Sequence, residues 1–507
     1  MNSVQRYSEQ DGIAIDVFSD AKTILQSDLN DRFDCNYRSP EYFKLMKELI
    51  EHCEKQGWEL KRIGGIEKLK INVGSTPRGS ESFSPTPEVP FVKTKNVYKG
   101  YLKTDNLSFL TEEAYEKHKS DSVMDGNILL TIIGANFEVV GRAYVFDYGD
   151  LEEIETKEAN INQNIARLSE IPDDYDINFF ENFLNSHLGQ VQIRRFSKQS
   201  VQVNLSTNEV KCISIPKLPK PLQERLSKIV SQGRRQSHGV KLECGSLIKQ
   251  MDSDILNLAG VVISETSARS FQTEISDQLN VNFYNPKYLK LLEDLEKQER
   301  SGRIQISKLG NLAPRIVRNC TLDEDEIYRY VELGDVDTRT GKITSFDEIS
   351  GNNPPSRAKW EIKENDLLVP TLRGSSKNLA VVDRDFDGCI ASSGFVVFSA
   401  EKEDMRYYLL AVLRSPIIQL QYEQRATGSI MSDVQTDVLA DFIIPVPKDH
   451  NIFLSISEKI KKTITRITKS YDEAERLLTK TESLFDEAIL GKLTIEQAED
   501  QFSQIVF

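Results

Sequence analysis

The stretch YRSPEYFKLMKEL (residues 37–49) returns later in the chain as FYNPKYLKLLEDL (residues 283–295). The prolines Pro40 and Pro286 are 246 positions apart, and so are the tyrosine and the two leucines that follow each of them. Proline is favoured at the first position of a helix, so each stretch predicts a short helix of the same pattern. A repeat of this length decides the architecture of the whole chain.

The similarity continues in the same order after both helices. PFVKTKNV (residues 90–97) aligns with RYVELGDV (residues 329–336), and the segment 189–216 aligns with 418–445 at an offset of 229. The offset falls from 246 to 229, as loops gain and lose residues while a framework persists. We therefore infer a duplication over about 180 residues. The aligned pairs include Phe91/Tyr330, Val92/Val331, Val97/Val336, Leu129/Leu368, Ile165/Phe395, Gln192/Gln421, Ser200/Ser429, Ile215/Ile444 and Pro216/Pro445.

A narrow apolar seam follows each copy and is typical of a helix packed along another long helix. In the first seam, Gly233, Gly239 and Gly245 interrupt the pattern and predict a break in the helix. We predict an α+β fold: two tandem mixed α/β recognition domains joined by two long, antiparallel-pairing spacer helices with pseudo-twofold symmetry. The second seam consists of Phe453, Ile456, Ile460, Ile464, Ile467, Tyr471, Ala474, Leu478, Phe485 and Ala488.

Composition is that of a soluble globular protein, with 507 residues of which 39% are hydrophobic and 28% charged. No apolar run reaches the roughly 18 residues of a membrane span, and residues 1–20 contain no signal-peptide core, so we expect a cytoplasmic location. The six cysteines and five histidines are scattered, without a CxxC or HExxH pattern, and predict neither disulfides nor a metal site.

The charge distribution matters more than the net charge of −14. Residues 191–250 contain 12 Lys or Arg against 3 Asp or Glu, whereas residues 146–185 contain 11 acids against 2 bases. This asymmetry favours one face for a polyanion and another for a different partner. Solvated helix faces remain the alternative interpretation.

Signatures of catalysis are incomplete. The segment NPPS (residues 353–356) is similar to a motif of amino-methyltransferases, but Ser356 stands where an aromatic ring would stack an extruded base. The segment EIK (residues 361–363) is half of a nuclease signature. The chain contains no phosphate-binding GxxxxGK[ST] loop. We therefore predict no active site.

Polar and basic residues suited to DNA recur at matching places of both copies. Arginine and lysine bind phosphate and guanine, whereas asparagine and glutamine can read adenine bidentately. The segments that carry most of them are GSTPRG (residues 74–79) with APRIVRN (313–319) as its less certain counterpart, PFVKTKNV (90–97), NINQN (160–164), RRFSKQS (194–200), LRGSSK (372–377) and QRATGS (424–429). The candidate DNA-binding residues are Ser75, Thr76, Arg78, Lys93, Lys95, Asn96, Asn162, Gln163, Arg194, Arg195, Lys198, Gln199, Arg315, Arg318, Arg373, Ser375, Ser376, Lys377, Ser392, Gln424, Arg425, Thr427 and Ser429.

These segments, together with DGNILLTIIGA, INQNIARL, ENDLLVPTLRGS and the two aligned 28-residue stretches, resemble the target recognition domains of type I restriction-modification specificity subunits. The resemblance covers about residues 34–489. It implies the following domains: 1–33 N-terminal extension, 34–219 first recognition domain, 220–260 first spacer, 261–280 linker, 281–448 second recognition domain, 449–490 second spacer and 491–507 C-terminal tail.

The family resemblance also implies a function. Each recognition domain would read one half of a split double-stranded DNA site in the major groove, and the paired helices would set the gap. The chain itself would be non-catalytic and bind no cofactor. Modification subunits, expected to be two, would methylate adenine with S-adenosylmethionine, and restriction subunits would use ATP and Mg to translocate and cut DNA. No membrane partner is implied.

Three alternatives stay open at this point. The chain could be a fused restriction-modification fragment or a specificity protein of a related defence system. It could be a helical scaffold that binds only protein. It could also be a methyltransferase that uses residues 353–356.

Overall fold

The computed structural model describes residues 5–6, 16–17, 39–104, 106–154, 156–199, 202–263, 281–426 and 433–505. The chain divides into two compact units, one formed by residues 1–238 with 474–507 and the other by residues 239–473. We call residues 40–217 the first head and residues 286–447 the second head. Near the N-terminus, Gln5–Arg6 pairs antiparallel with Asp16–Val17.

The first head begins with the predicted proline-initiated helix. That helix ends at Gly57, whose φ of 69° is the left-handed conformation that suits glycine at a helix end. Its elements are α1 Pro40–Gln56, β1 Glu59–Arg62, β2 Lys70–Val73, β3 Phe83–Ser84, β4 Val89–Val92, β5 Val97–Tyr98, β6 Tyr101–Leu102, β7 Ser108–Leu110, α2 Glu112–Lys117, β8 Ile128–Thr131, β9 Ile133–Gly134, β10 Ala143–Val145, β11 Asn160–Ile161, β12 Ile165–Ser169, α3 Ile177–Asn185, α4 His187–Phe196, β13 Lys198–Gln199, β14 Val203–Asn204, α5 Thr207–Val210 and β15 Ser214–Lys217, followed by α6 Lys220–Ala259.

The second head repeats the main elements of this order and also starts at its proline, Pro286. Its elements are α7 Pro286–Arg300, β16 Ile304–Lys308, α8 Leu309–Leu312, β17 Arg315–Ile316, β18 Ile327–Val331, β19 Val336–Asp337, β20 Lys342–Ile343, β21 Asp347–Ser350, β22 Ala358–Glu361, β23 Asp366–Pro370, β24 Ala380–Val381, β25 Ile390–Ser392, β26 Phe395–Ser399, α9 Glu403–Arg414, α10 Pro416–Arg425, α11 Thr436–Ala440 and β27 Ile443–Pro447, followed by α12 His450–Ile489 and α13 Ile495–Ile505.

Each head contains a four-stranded antiparallel sheet of the same strand order. The order is β10-β8-β12-β2 in the first head and β24-β23-β26-β17 in the second. Thr131 lies opposite Ile165 in one sheet, and Pro370 lies opposite Phe395 in the other. These partners are the aligned positions of the two copies, so the sheets agree in register as well as in order. A one-residue slip would have turned every apolar side chain to the wrong face. The predicted α+β fold is confirmed.

A second sheet in each head contains one parallel pair. Val92 of β4 lies opposite Ile161 of β11, and Val331 of β18 lies opposite Ala391 of β25. The sheets differ at their margins, since β3 extends the first and β22 extends the second. Because parallel strands end at the same side of a sheet, the segments that follow β4 and β11 emerge together.

The last strand of each head pairs with its first. Ile215 of β15 lies opposite Lys61 of β1, and Ile444 of β27 lies opposite Ser307 of β16. Lys61 and Ser307 differ by the offset of 246, and Ile215 and Ile444 differ by the offset of 229. The start and the end of the repeat are therefore paired with each other in the same way in both heads. This pairing closes each head before the long helix begins.

The helix α6 is continuous from Lys220 to Ala259, so the predicted break at its glycines is wrong. Tertiary packing explains why glycine is present at one of the three positions. A Cβ atom on Gly233 would lie 2.5 Å from Oγ1 of Thr481 in α12, so glycine permits a close approach of the two helices. Gly239 and Gly245 have no atom within 4 Å of such a Cβ and only lower the helix propensity locally.

Within the second unit, α6 and α12 run antiparallel as predicted. Sγ of Cys244 lies 4.0 Å from the carbonyl oxygen of Ile467, and Lys459 forms an ion pair of 2.5 Å with Asp254. Tyr471 completes this buried cluster. Apolar side chains at helical spacing thus form a seam whose burial stabilises both helices.

The C-terminal tail contains α13, which belongs to the first unit. Ala498 and Phe502 are buried in the same core as α1. Arg225 of α6 binds Glu496 at 2.9 Å and Glu499 at 2.7 Å. Among the described residues, no helix has both the length and the apolar character to cross a membrane.

Candidate nucleic-acid interface

Three loops meet at one side of each head, which we call the loop edge. Turn 1 follows β4 or β18 (residues 93–96 or 332–335). Loop 2 lies at the end of β11 or β25 (162–164 or 392–394, where Ser392 is the last residue of β25). Loop 3 follows β8 or β23 (132–138 or 371–378) and includes the short strand β9 in the first head. The backbone joins loops 2 and 3 in the same way in both heads. Ile132 N–H donates to Asn164 O at 2.9 Å, and Thr371 N–H donates to Gly394 O at 2.8 Å.

Turn 1 has the same internal hydrogen bond in both heads. The N–H of Lys93 donates to Oδ1 of Asn96 at 3.1 Å, and the N–H of Glu332 donates to Oδ2 of Asp335 at 2.7 Å. Nδ2 of Asn96 also donates to the carbonyl oxygen of Lys103 at 3.0 Å, and only 1% of Asn96 is exposed. The side chain of Asn96, which the sequence predicts to read a base, is therefore occupied by hydrogen bonds within the first head. Asn96 is not part of the proposed DNA surface.

The segment GSTPRG joins the loop edge of the first head. A Cβ atom on Gly74 would lie 2.1 Å from the carbonyl oxygen of Ile161, so only glycine allows this packing against β11. The hydroxyl of Thr76 donates to the side-chain carbonyl of Gln163. Arg78 is exposed in the same segment. The structure thus brings together two predicted segments that are about 85 residues apart in the chain.

Ser75 is held by groups that the sequence interpretation missed. Its hydroxyl donates to Oδ2 of Asp121 at 2.5 Å and lies 2.6 Å from Nδ1 of His118. His118 is in turn anchored, since its carbonyl oxygen accepts from Nδ2 of Asn160 at 3.0 Å. No periodicity or spacing signal connects residues 118–121 with residue 75, so only the tertiary structure reveals this contact.

The lysines of turn 1 differ in exposure. Lys95 is exposed. Lys93 is half-buried, and its Nζ donates to Oγ of Ser108 at 2.8 Å and lies 5.4 Å from the centre of the Phe91 ring. Burial, with a smaller contribution from the charge of Lys95, lowers the pKa of Lys93. The exposed polar side chains that GSTPRG, turn 1 and loop 2 contribute to this edge are Thr76, Arg78, Lys95 and Gln163.

In the second head, loop 3 carries the exposed cations Arg373 and Lys377, with Ser375 half-buried between them. Two other predicted readers are buried. Ser376 donates to the side chain of Gln419 at 2.5 Å, and Oγ of Ser392 accepts from the N–H of Gly394 at 3.2 Å. The Ser376 hydroxyl thus links loop 3 to α10, and that of Ser392 stabilises loop backbone, so neither belongs to the proposed surface. In the first head, Asn162 is 8% exposed, and its Oδ1 accepts from the N–H of Asn164 at 3.2 Å.

Several predicted arginines serve the fold. Arg318 binds the carboxylate of Asp366 and donates to the carbonyl oxygen of Glu361 at 3.2 Å. The guanidinium of Arg195 lies 4.1 Å from the centre of the Tyr42 ring and 4.8 Å from that of Phe43.

The described residues of the segment 424–429 also form hydrogen bonds within the fold. Nε2 of Gln424 donates to Phe283 O at 3.1 Å, and Arg425 donates to Asp441 O at 3.4 Å. Burial lowers the pKa of Arg425. Thr427, Ser429 and the side chain of Gln199 lie outside the described residues.

The remaining candidates are accessible. Arg194 is exposed, and exposed Lys198 lies 3.5 Å from Glu209. Arg315 is exposed and lies 3.3 Å from Asp437. In the described parts of the chain, no cluster of His, Cys, Asp or Glu is arranged to hold a metal ion.

A head made of two small sheets, with polar and basic loops gathered at one side, defines a macromolecular recognition domain. Residues 55–238 match the family model of the type I restriction modification DNA specificity domain. These residues span most of the first head and the start of α6, so this part of the chain contains a domain of the type I specificity kind, which supports a role in DNA sequence specificity. The predicted resemblance to this family is thereby confirmed for residues 55–238.

Solved structures show weaker similarity. The type I S subunit from M. genitalium matches with 11% identity over 85% of this chain and 95% of its own, at a TM-score of 0.41. The HsdS subunit from Thermoanaerobacter tengcongensis matches with 12% identity over 86% of this chain and 97% of its own, at a TM-score of 0.29. No curated protein matches the chain.

Proposed function

We propose that the chain is the specificity subunit of a type I restriction-modification complex and reads a bipartite site in double-stranded DNA. The observation that carries this proposal is the repeated loop edge. A specificity domain matches the first head, and the second head repeats its two sheets, its turn 1 and its junction of loops 2 and 3. Two equivalent recognition surfaces on one chain would bind two half-sites of one DNA site.

The chemistry of the loop edges supports DNA as the ligand. Arg78, Lys95, Arg373 and Lys377 are exposed cations on these loops, and they suit phosphate oxygens or guanine. Affinity of this kind weakens with added salt because bound phosphates release counterions. Linking two heads on one chain raises affinity without any new contact, provided that the spacing of the half-sites fits.

The partners belong to the same proposal. Modification subunits, two in each complex, would methylate adenine with S-adenosylmethionine, and restriction subunits would supply ATP- and Mg-dependent translocation and cleavage. The chain would contribute recognition and no catalysis, in the cytoplasm. The segment 353–356 lies in the turn between β21 and β22, where Pro355 O accepts from Ala358 N–H at 2.9 Å, which supports a structural part for it.

The test uses the chain assembled with the modification subunits encoded beside it. Methylated adenines are mapped in genomic DNA with and without the gene, and binding to duplexes is measured at low and high salt. We expect a bipartite methylation motif that depends on the gene. The absence of such a motif, together with the absence of salt-sensitive DNA binding, would favour the protein-binding scaffold.

A variant set locates the surface. Replacing Thr76, Arg78 and Lys95 by alanine should weaken DNA binding at least tenfold and flatten its salt dependence. The control removes Lys47 and Lys55, exposed lysines of α1, and should bind as the wild type does. Equal losses in both variants would contradict the assignment of the surface.

A further inference from the structure

The two loop edges carry opposite charges at one equivalent backbone position. Turn 1 has Lys93 and Lys95 in the first head, whereas the second has Glu332 and Gly334 at the same places. The equivalence follows from the shared internal hydrogen bond of turn 1 and from the shared register of the parallel strands before it. It therefore rests on geometry as well as on alignment.

Loop 3 shows the reverse distribution. In the second head it contains the exposed cations Arg373 and Lys377. In the first head, residues 132–138 (IIGANFE) contain no lysine or arginine and end at exposed Glu138. The first edge thus carries lysines on turn 1, whereas the second edge carries its cations on loop 3. On turn 1 of the second edge, the carboxylate of Glu332 occupies the position of the Lys93 ammonium group.

Glu332 is oriented by its surroundings although it is exposed. The hydroxyl of the buried residue Tyr330 donates to its Oε1 at 3.0 Å, and its side chain also accepts from the backbone N–H of Asp335. Two donors on fixed backbone elements hold the carboxylate at the loop edge. An exposed carboxylate repels phosphate, so on a DNA-facing turn it is better suited to a hydrogen-bond donor on a base than to the DNA backbone.

We propose that turn 1 determines base specificity in both heads and does so with inverted chemistry. Glu332 accepts a hydrogen bond from the N4 amino group of a cytosine in one half-site, and Lys95 donates to O6 or N7 of a guanine in the other. These are the base edges whose donors and acceptors complement a carboxylate and an ammonium group. Arg373 and Lys377 then supply phosphate binding to the second head. This inference rests on the proposed function.

The experiment compares methylation motifs of complexes that contain the wild-type chain, Glu332→Gln or Lys95→Met. We expect Glu332→Gln to relax one C·G position in one half of the motif by about 10- to 100-fold in preference. The same change should raise affinity for non-specific DNA, because it removes a repulsive charge. Lys95→Met should relax one G·C position in the other half only.

The matched control is Glu348→Gln, which removes an exposed carboxylate from the neighbouring strand β21. It should leave both halves unchanged. Relaxation in the same half by both test variants, relaxation at an A·T pair, or an unchanged motif would overturn the inference. A wild-type complex without any bipartite motif would instead overturn the proposed function.

A second measurement needs no variant. Each cytosine of the assigned half-site is replaced singly by N4-methylcytosine in a synthetic duplex, in which a methyl group takes the place of the amino hydrogen in the major groove while the hydrogen that pairs with guanine is kept. Binding of the wild-type complex should fall at least tenfold at one cytosine. If no such replacement weakens binding, the assignment of Glu332 is wrong, whatever the stability of the variants.

Discussion

The side-chain amide of Gln192 is hydrogen-bonded to both backbone groups of Ser214. Its Nε2 donates to Ser214 O at 3.0 Å, and its Oε1 accepts from Ser214 N–H at 2.8 Å. Gln421 binds Ile443 in the same way, at 2.9 and 2.8 Å. Each buried glutamine thus fastens a helix to the closing strand of its head. The aligned glutamines are therefore structural in both copies.

Gln192→Leu should lower the free energy of unfolding by about 1–3 kcal/mol, because it leaves a buried backbone N–H and carbonyl without partners. Gln421→Leu should act alike. Chemical denaturation measures both. Gln305→Leu, at an exposed position of β16, is the control and should change stability by less than about 0.5 kcal/mol. Equal stability of all three variants would contradict a fastening role.

Gly74→Ala should displace GSTPRG from β11, because the new Cβ would clash with the carbonyl oxygen of Ile161 at 2.1 Å. We expect a loss of about 1–3 kcal/mol in stability and weaker DNA binding by the assembled complex. Gly65→Ala is the control, since nothing lies within 4 Å of its added Cβ. Normal binding by Gly74→Ala would show that this segment lies away from DNA.

Variants of Arg318 and Arg78 should differ in effect, because we assign Arg318 to the stability of the fold and Arg78 to DNA binding. Arg318→Met leaves the carboxylate of Asp366, which is 4% exposed, without its charged partner and should cost about 1–3 kcal/mol. Arg78→Ala should change stability by less than about 0.5 kcal/mol but weaken DNA binding. Denaturation and a gel shift at several salt concentrations distinguish the two. The reverse pattern would require a new assignment of both residues.

Asp486 of α12 should make the stability of the protein depend on pH. Its carboxylate accepts from the N–H groups of His187 at 3.0 Å and Leu188 at 3.4 Å, and burial raises its pKa from 3.8 to about 6. The folded state therefore binds a proton more tightly than the unfolded state does. The contribution of Asp486 is most favourable near pH 4, declines as pH rises to about 6 and is then constant, over a range of at most about 3 kcal/mol.

Asp486→Asn removes this titration and is the matched variant. Denaturation of both proteins between pH 4 and pH 8 should show wild-type stability falling relative to Asp486→Asn up to about pH 6, and parallel curves above it. A constant difference over the whole range would mean that the carboxylate titrates alike in the folded and unfolded states.

Much of the fold follows from the order of residues along the chain. Pro40 and Pro286 mark helix starts, and the Leu129/Leu368 and Ile165/Phe395 alignments correspond to the observed register. The site is harder to predict, since Asn96, Ser376 and Ser392 have the same residue types as base readers. Their burial depends on neighbours distant in the chain, such as Gln419 for Ser376.

By itself, the sequence determined the duplication, the helix seams and the resemblance to the specificity family, because apolar spacing and residue order are properties of the chain. Only the tertiary structure decided that α6 continues through Gly233, since the close approach to Thr481 overrides the low helix propensity of glycine. It likewise decided which polar groups remain at the loop edge. The hydrogen bond from Asn96 to the carbonyl oxygen of Lys103 keeps Asn96 buried, whereas Lys95 and Glu332 remain exposed on turn 1 of their heads.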